Sequence, residues 1–387
     1  MGHGLMKNLL RCAALIVLPL SIAALLLYGC GNNGDIPVGF AGQLTGRQAE
    51  LGVQERNGVL LAVEHINASG GIAGRPIRLM IRDDLGTPEG AKIADQELIK
   101  AGVVAIIGHA TSSQTIIGVP LINAAHVVML SPTATTQDLA GLDDYFFRVI
   151  PPHDRRGDIF ARHICEDRRI KRLAVMYDSD NTAYCRSYRD SFCRAYLSMG
   201  CDIAGEIWFS SSARPDYDVL LSGLHTKAPD GLLIVASDHD TAFIAQRMLL
   251  MNWKIPMFTS AWAQTEILIK KGGRAVEGME IEQAYALNSQ KETLLNFKKL
   301  YQNAYGRAPS FGAAFGYEAA GVLAAALEKT GGKPEGLRKA LSEIKNFSGL
   351  VDAFSMDKWG DVIRPFYVGA VHKGKFIDLK RIDSGMP

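Results

Sequence analysis

VVAIIGHATSSQT (residues 103–115) and, a short distance later, VVMLSPTATT (residues 127–136) have the same pattern. Each begins with a short apolar run of β type, which predicts a buried strand, and then breaks into a polar turn. The first turn continues with the spacing of a helix. This alternation is typical of an open parallel α/β sheet, in which ligands bind beyond the carboxyl ends of the strands.

Hydroxyl side chains follow both predicted strands. They are Ser112, Ser113, Thr133, Thr135 and Thr136. A helix that begins there presents unpaired N–H groups and a partial positive charge at the same place. The pattern therefore predicts a site for a small anion such as a carboxylate, with no reactive group required. The alternative is that these residues only cap helices, as Ser and Thr often do.

Strands and helices alternate in two series along the chain. Residues 36–150 predict five strands with helices between them, and residues 158–259 predict a second series that follows Pro151 and Pro152. Two such series indicate an α/β fold of two doubly wound, Rossmann-like lobes.

The last third of the chain has a different order. We expect one strand at residues 278–286 and then three helices, the longest of them at residues 310–328. After the helices, residues 351–355 and 366–371 are expected to pair as an antiparallel hairpin, with Met356–Asp361 as the turn.

Composition and motifs exclude several classes of function. The 387 residues carry a formal net charge of +2, which gives no electrostatic reason to expect a nucleic-acid partner. No GxSxG, HExxH or Walker A pattern is present, so neither an enzyme nor a cofactor is expected. His109 is interpreted as structural rather than as an acid–base catalyst, because it is a solitary His at a strand end. Asp83–Asp84 is interpreted as a turn that leads into a helix, because no third carboxylate lies near it in sequence to complete a metal site.

The amino terminus predicts export. Lys7 and Arg11 precede an almost continuous apolar run at Ala13–Tyr28, and Gly29 stands directly before Cys30. Such a basic start, apolar core and small residue describe a signal peptide over residues 1–29. The end of this run resembles the bacterial lipobox, which implies cleavage before Cys30, a lipid on its sulfur, membrane attachment and a short spacer at residues 30–34. The alternative is an uncleaved transmembrane anchor.

Four cysteines lie close together beyond the export signal. They are Cys165, Cys185, Cys193 and Cys201. An oxidising compartment permits one or two disulfides among them, but the spacing does not choose between the pairings. Free buried thiols are equally compatible with the sequence.

The chain from about residue 35 to residue 380 resembles the type I periplasmic binding proteins of the leucine/isoleucine/valine-binding group. The motifs that carry this resemblance are GQLTG (42–46), INASGGIAG (66–74), Asp83–Asp84, IGHATSS (107–113), SPTAT (131–135) and Tyr317–Ala319. The resemblance implies two lobes with the ligand between them, joined by three crossings near Ile150, Ala284 and Leu350. It divides the chain into a first lobe at residues 35–150 and 285–350 and a second lobe at residues 151–284 and 351–387.

The same resemblance implies particular binding residues. The carboxylate clamp falls on Ser112 and its neighbour Ser113, and on Thr133, Ala134 and Thr135. Tyr184 takes the place of an aromatic residue in the second lobe. Trp262 stands where amino-acid binders have an acidic residue, so that either Asp238 or Glu282 replaces the missing acid, or the ligand has no ammonium group.

We therefore expect an exported, membrane-anchored solute-binding lipoprotein of an ABC importer. It would bind an amino acid or a related small carboxylate between its lobes, close around the ligand, and pass it to a transporter permease. The alternative is a sensory or regulatory protein that binds a carboxylate such as an aromatic acid without transporting it.

Overall fold

The computed structural model describes residues 34–283 and 285–383, except for the side chains of Asp154 and Arg155. The predictions for the signal peptide and for Cys30 lie outside these residues, as does the crossing expected at Ala284. Within the described ranges, no helix is long and apolar enough to cross a membrane.

The first sheet has five parallel strands in the order β2-β1-β3-β4-β5. The strands are Ile36–Gly42 (β1), Ile77–Asp83 (β2), Ala105–Gly108 (β3), Val128–Ser131 (β4) and Phe146–Arg148 (β5). Every residue of β3 and β4 is buried, because helices cover both faces of the sheet. The helices between these strands are Glu50–Ala68 (α1), Pro88–Lys100 (α2) and Ser112–Ala125 (α3).

The second sheet has seven strands in the order β14-β13-β10-β9-β8-β6-β7. Its parallel part consists of Arg172–Asp178 (β6), Asp202–Phe209 (β7), Gly231–Val235 (β8), Met257–Thr259 (β9) and Glu280–Gln283 (β10). The helices of this part are His153–Arg162 (α4), Thr182–Ser198 (α5), Tyr217–His225 (α6), Asp238–Leu250 (α7) and Glu266–Gly272 (α8). Two doubly wound lobes, each built on one sheet, are therefore present as predicted.

Three helices of the last third return to the first lobe. They are Glu292–Tyr305 (α9), Phe311–Thr330 (α10) and Leu337–Ser342 (α11). Helix α10 packs so closely on α1 that a Cβ atom at Gly58 would lie 2.0 Å from the Ala313 carbonyl oxygen. At Gly316 it would lie 2.4 Å from the Glu55 carbonyl oxygen. Glycine allows this approach because it has no side chain. The assignment of residues 285–350 to the first lobe stays a prediction. The packing of α10 on α1 agrees with it.

The predicted hairpin of residues 351–355 with 366–371 is wrong. Instead Phe347–Ser348 (β11) pairs with Ala353–Phe354 (β12), and Phe366–His372 (β13) pairs with both β10 and Lys375–Ile382 (β14). The actual turn is Lys373–Gly374, where both residues have positive φ, as a two-residue hairpin loop requires. Strand β14 was missed because it is an edge strand, and its charged residues hide the alternation that marks a strand.

The cysteine pairing that the sequence left open is resolved in the fold. Cys165 and Cys201 form a disulfide with a Cα–Cα distance of 6.4 Å, while Cys185 and Cys193 are free and buried. The bridge joins the π-helical turn His163–Asp167, which follows α4, to the residue before β7. The two remaining thiols pack in the interior of that lobe.

Candidate functional site

A narrow cavity lies between the carboxyl ends of the two sheets. Its first-lobe wall is formed by Leu51, Ala110, Thr111, Ser112, Thr133, Thr135 and Phe311. Its second-lobe wall is formed by Arg156, Asn181, Tyr184, Ala261 and Trp262, and Ile150 lies where the chain passes between the lobes. This is the position at which open α/β sheets bind ligands.

Ser112 is the first residue of α3, which starts only four residues after β3 ends. Its Oγ accepts hydrogen bonds from the backbone N–H groups of Thr135 and Thr136, both at 3.2 Å. Because the oxygen only accepts in these two bonds, the hydroxyl proton is still available to a ligand. The helix N-terminus adds a partial positive charge, so this corner of the cavity favours a carboxylate.

Thr135 is held by the helix that begins the second lobe. Its Oγ1 lies 2.7 Å from His153 Nε2, and its carbonyl oxygen accepts from the His153 N–H at 3.0 Å. Burial lowers the pKa of His153 well below its ordinary value, and the nearby Arg156 and Arg148 lower it further. The imidazole is therefore neutral. When Nε2 carries its single proton, Thr135 accepts from the ring and can donate its own hydroxyl proton to a ligand.

Thr133 lines the cavity, but its hydroxyl proton is already committed. Its Oγ1 lies 2.6 Å from the Ala110 carbonyl oxygen and also contacts Glu55 Oε1. A carbonyl can only accept, so the Thr133 hydroxyl donates to Ala110 and Glu55 supplies the proton of the second bond. Burial raises the pKa of Glu55 to about 8, which agrees with a protonated carboxyl. The Thr133 side chain therefore shapes the clamp without donating to a ligand.

Two aromatic residues predicted from the sequence line the second-lobe wall. Tyr184 and Trp262 are both almost completely buried, and their rings meet edge to face with centroids 5.5 Å apart. The Tyr184 ring also packs edge to face on His153, at 4.6 Å. The rings therefore form a firm apolar surface that faces the clamp.

Arg156 also lines the cavity and is 1% exposed. Its Nε lies 2.5 Å from Glu282 Oε1, and its guanidinium lies over the Phe366 ring. Arg156 Nη1 and Glu282 Oε2 are buried and have no hydrogen-bond partner among the described residues. Arg156 is thus the charged residue of the wall, and it is paired with Glu282, which lies outside the cavity lining.

Three predicted site residues lie outside the cavity lining. Ser113 instead joins the lobes, since its N–H donates to Asn181 Oδ1 and its Oγ accepts from the Ala183 N–H, both at 3.2 Å. Ala134 is fully buried behind the clamp. Asp238 starts α7 and accepts a hydrogen bond from Thr265 Oγ1, and burial raises its pKa to about 6. Glu282, the other proposed acid, is paired with Arg156.

Sequence reasoning missed His153, Arg156, Asn181 and Phe311 as site residues. Two of them lie in the first turn of α4, which begins at His153 directly after the two prolines and five residues earlier than predicted. Proline just before a helix is a start signal that would have found this turn. Phe311 opens α10, and its position facing the cavity depends on the packing of α10 against α1.

The two lobes are in contact across the mouth of the cleft. Arg47 Nη2 lies 2.5 Å from Asp240 Oδ1, and Gln48 Nε2 donates to Asp178 Oδ2 at 2.8 Å. Both pairs join the loop after β1 to the second lobe. Together with the bonds from Ser113, they hold the structure in a closed form.

His109 is structural, as expected. Its ring nitrogens lie 2.7 Å from Asp84 Oδ2 and 3.1 Å from Asp95 Oδ2, and all three side chains are buried. Burial alone would lower the pKa of His109, but the two carboxylates raise it to about 10. Within the described residues, no group of His, Cys, Asp and Glu side chains could hold a metal ion.

A profile of the periplasmic binding protein family matches residues 35–375. The chain belongs to this family. Proteins of this family and fold are solute binders and not enzymes. This confirms the prediction that the protein is not an enzyme.

Two curated relatives illustrate the similarity in sequence. The Leu/Ile/Val-binding protein BraC3 of Rhizobium johnstonii is 31% identical over 182 residues, which is 46% of this chain and 48% of the relative. The Leu/Ile/Val-binding protein homolog 3 of Brucella melitensis is 25% identical over 379 residues, covering 93% of this chain and 98% of the relative. The first alignment therefore spans about half of that relative, and the second nearly all of the other.

Solved structures confirm the predicted two-lobed fold. A leucine-binding protein from Thermotoga maritima superposes with a TM-score of 0.84 at 23% identity, covering 90% of this chain and 99% of that one. A solute-binding protein of an ABC transporter from Rhodopseudomonas palustris, in complex with 3,4-dihydroxybenzoic acid, superposes with a TM-score of 0.82 at 22% identity. This superposition covers 92% of this chain and 99% of the Rhodopseudomonas palustris chain.

Proposed function

We propose that this protein is the exported solute-binding component of an ABC importer, and that its solute is a small carboxylate. The carboxylate would bind at the N-terminus of α3. The observation that carries this proposal is Ser112, whose Oγ accepts two backbone N–H groups and keeps its proton for an anion in the cavity. Thr135 would supply the second hydroxyl.

The chemistry of similar proteins supports a carboxylate. One structural neighbour, from Streptococcus pneumoniae, is in complex with isoleucine, and two others, from Rhodopseudomonas palustris, are in complex with 3,4-dihydroxybenzoic acid and with benzoate. The feature common to these three ligands is a carboxylate group. All three proteins are named as transporter components, which supports an importer permease as the partner of this chain.

Ligand binding is tested by thermal unfolding of the mature protein with a panel of small carboxylates. A ligand present at a hundredfold excess over its Kd stabilises the folded state by about 2.7 kcal/mol, so at least one acid should raise the melting temperature measurably. No response to amino acids, aromatic acids and dicarboxylates would contradict the proposal.

We also propose that the protein is lipid-anchored at Cys30. The Gly29–Cys30 junction after the apolar run supports this step. Expression of the full chain in a bacterium should place it in the membrane fraction, with a lipid-sized mass increase on the amino-terminal peptide. Cys30→Ala should lose that mass increase, and an unchanged mass would contradict the anchor.

A further inference from the structure

The charge of the cavity wall restricts the ligand more closely than the clamp does. Among the described residues that line the cavity, Arg156 is the only one with a formally charged side chain, and it is a cation. A ligand that enters with a carboxylate and an ammonium group therefore meets no carboxylate on the wall that could pair with the ammonium.

Two acidic side chains that could have paired with the ammonium group, Glu282 and Asp238, lie outside the cavity lining. Asp238 accepts from Thr265, and the charge of Glu282 is balanced by Arg156, although Glu282 Oε2 has no partner among the described residues. Glu55 is protonated where it meets Thr133. Burying an ammonium group without an anionic partner is unfavourable. This wall therefore disfavours an α-amino acid.

What the wall does offer is a spare donor. Arg156 Nη1 is buried without an acceptor among the described residues, and Arg156 lies on the wall opposite Ser112. A buried donor without a partner is unfavourable, so a ligand that brings an oxygen acceptor to it gains affinity. The cavity lining also includes Leu51, Phe311 and Trp262, which suit an apolar body.

We propose that the ligand is a hydroxy- or oxo-substituted carboxylic acid without an ammonium group, and that Arg156 determines this specificity by binding the second oxygen. This inference rests on the proposed function, because it assumes that the carboxylate binds at Ser112. The neutral hydroxyls and the helix N-terminus hold the anion, and the guanidinium selects what the far end of the ligand carries.

Matched ligands on the unaltered protein test the substrate class. Calorimetric titration should compare leucine with 4-methylpentanoate, which has the same skeleton without the ammonium group, and benzoate with 4-hydroxybenzoate. We expect 4-methylpentanoate to bind at least about tenfold more tightly than leucine, because it has no ammonium group. We also expect 4-hydroxybenzoate to bind more tightly than benzoate, because it carries a second oxygen.

The outcomes separate the two proposals. Tighter binding of leucine than of 4-methylpentanoate would overturn this inference and leave the carboxylate-binding function intact. Absence of binding by every carboxylate would overturn the proposed function and this inference together.

Variants test the role of Arg156 itself. Arg156→Lys keeps the charge but loses the planar fork of donors. The ratio of the Kd of benzoate to the Kd of 4-hydroxybenzoate should therefore fall towards one, while benzoate still binds. Arg364→Lys is the matched control, since Arg364 is equally buried and paired with Glu318 but lies outside the cavity lining. An unchanged preference in Arg156→Lys would overturn its role, and if that variant does not fold, the ligand series decides alone.

Discussion

The two walls of the cavity differ in what they offer a ligand. The first-lobe wall offers neutral groups, namely the Ser112 and Thr135 hydroxyls and the amino end of a helix. The second-lobe wall offers a buried cation and aromatic rings. If the carboxylate binds at Ser112 as proposed, the groups that hold it and the charged group that would select the rest of the ligand belong to separate lobes.

The strongest contrast between the lobes is covalent, because all four cysteines of the described chain belong to the second lobe. Joint replacement of Cys165 and Cys201 by Ser should lower the free energy of unfolding by about 4 kcal/mol, since the bridge closes a loop of 36 residues. Chemical denaturation followed by circular dichroism measures this effect. Cys193→Ser, at a free thiol, is the control, and equal midpoints for both variants would contradict the prediction.

Loss of the Ser112 hydroxyl tests the first-lobe wall. Ser112→Ala leaves two buried N–H groups without their acceptor and removes a donor to the ligand, so both stability and affinity should fall, each by about 1–3 kcal/mol. Melting temperature and calorimetry separate the two effects. Thr87→Ala, which removes a helix cap at α2 away from the cavity, should lower stability alone. A Ser112→Ala variant that binds as tightly as the original would show that the hydroxyl only holds the backbone of Thr135 and Thr136.

Protonation of Glu55 makes the stability of the first lobe depend on pH. Burial raises the pKa of Glu55 from its ordinary value of 4.5 to about 8 in the folded protein. The folded state therefore binds the carboxyl proton more tightly than the unfolded state does. The contribution of Glu55 to stability is therefore fully present below about pH 4.5 and is lost as the pH rises through about 8.

Glu55→Gln keeps a donor to Thr133 but cannot ionise. Its melting temperature should therefore vary less between pH 5 and pH 8 than that of the unaltered protein, with a gain at pH 8. Glu64→Gln, on the exposed side of the same helix, is the control. Parallel profiles for all three proteins would show that Glu55 is ionised in the folded state.

The smallest effect is expected where the two lobes meet. Arg47→Ala removes the ion pair to Asp240, whose other partners include the hydroxyls of Ser211, Ser237 and Tyr217. Arg47 is one-third exposed, so the closed form should lose only about 1 kcal/mol and the Kd should rise severalfold. Arg307→Ala removes a comparable pair with Glu50 inside the first lobe and should leave the Kd unchanged. Equal effects would show that Arg47 does not support closure.

Most of the fold could be predicted from the sequence because local patterns specify it. The apolar runs at β3 and β4 and the glycine-rich ends of helices are short-range signals, and they predicted two doubly wound lobes correctly. The hairpin at the carboxyl end failed for a physical reason. The pairing of β13 is decided by contacts with β10 and β14, which are distant in sequence or highly charged.

The site was predictable in part for the same reason. Ser112, Thr133 and Thr135 follow two strands that are neighbours in the sheet, so their meeting follows from the strand order. Arg156 lines the cavity and pairs with Glu282, which comes from a strand 126 residues later in the chain. Only a folded chain brings such pairs together, and no local pattern marks them.

The contacts of Arg47, Gln48 and Ser113 across the cleft have a kinetic consequence. A solute enclosed by the closed lobes leaves only after these bonds break, so its residence time is set by the rate at which the lobes separate. Changes to the mouth of the cleft should therefore alter the dissociation rate much more than the association rate. In an importer that binds the closed form, the rate of solute release would then depend on residues that do not contact the solute.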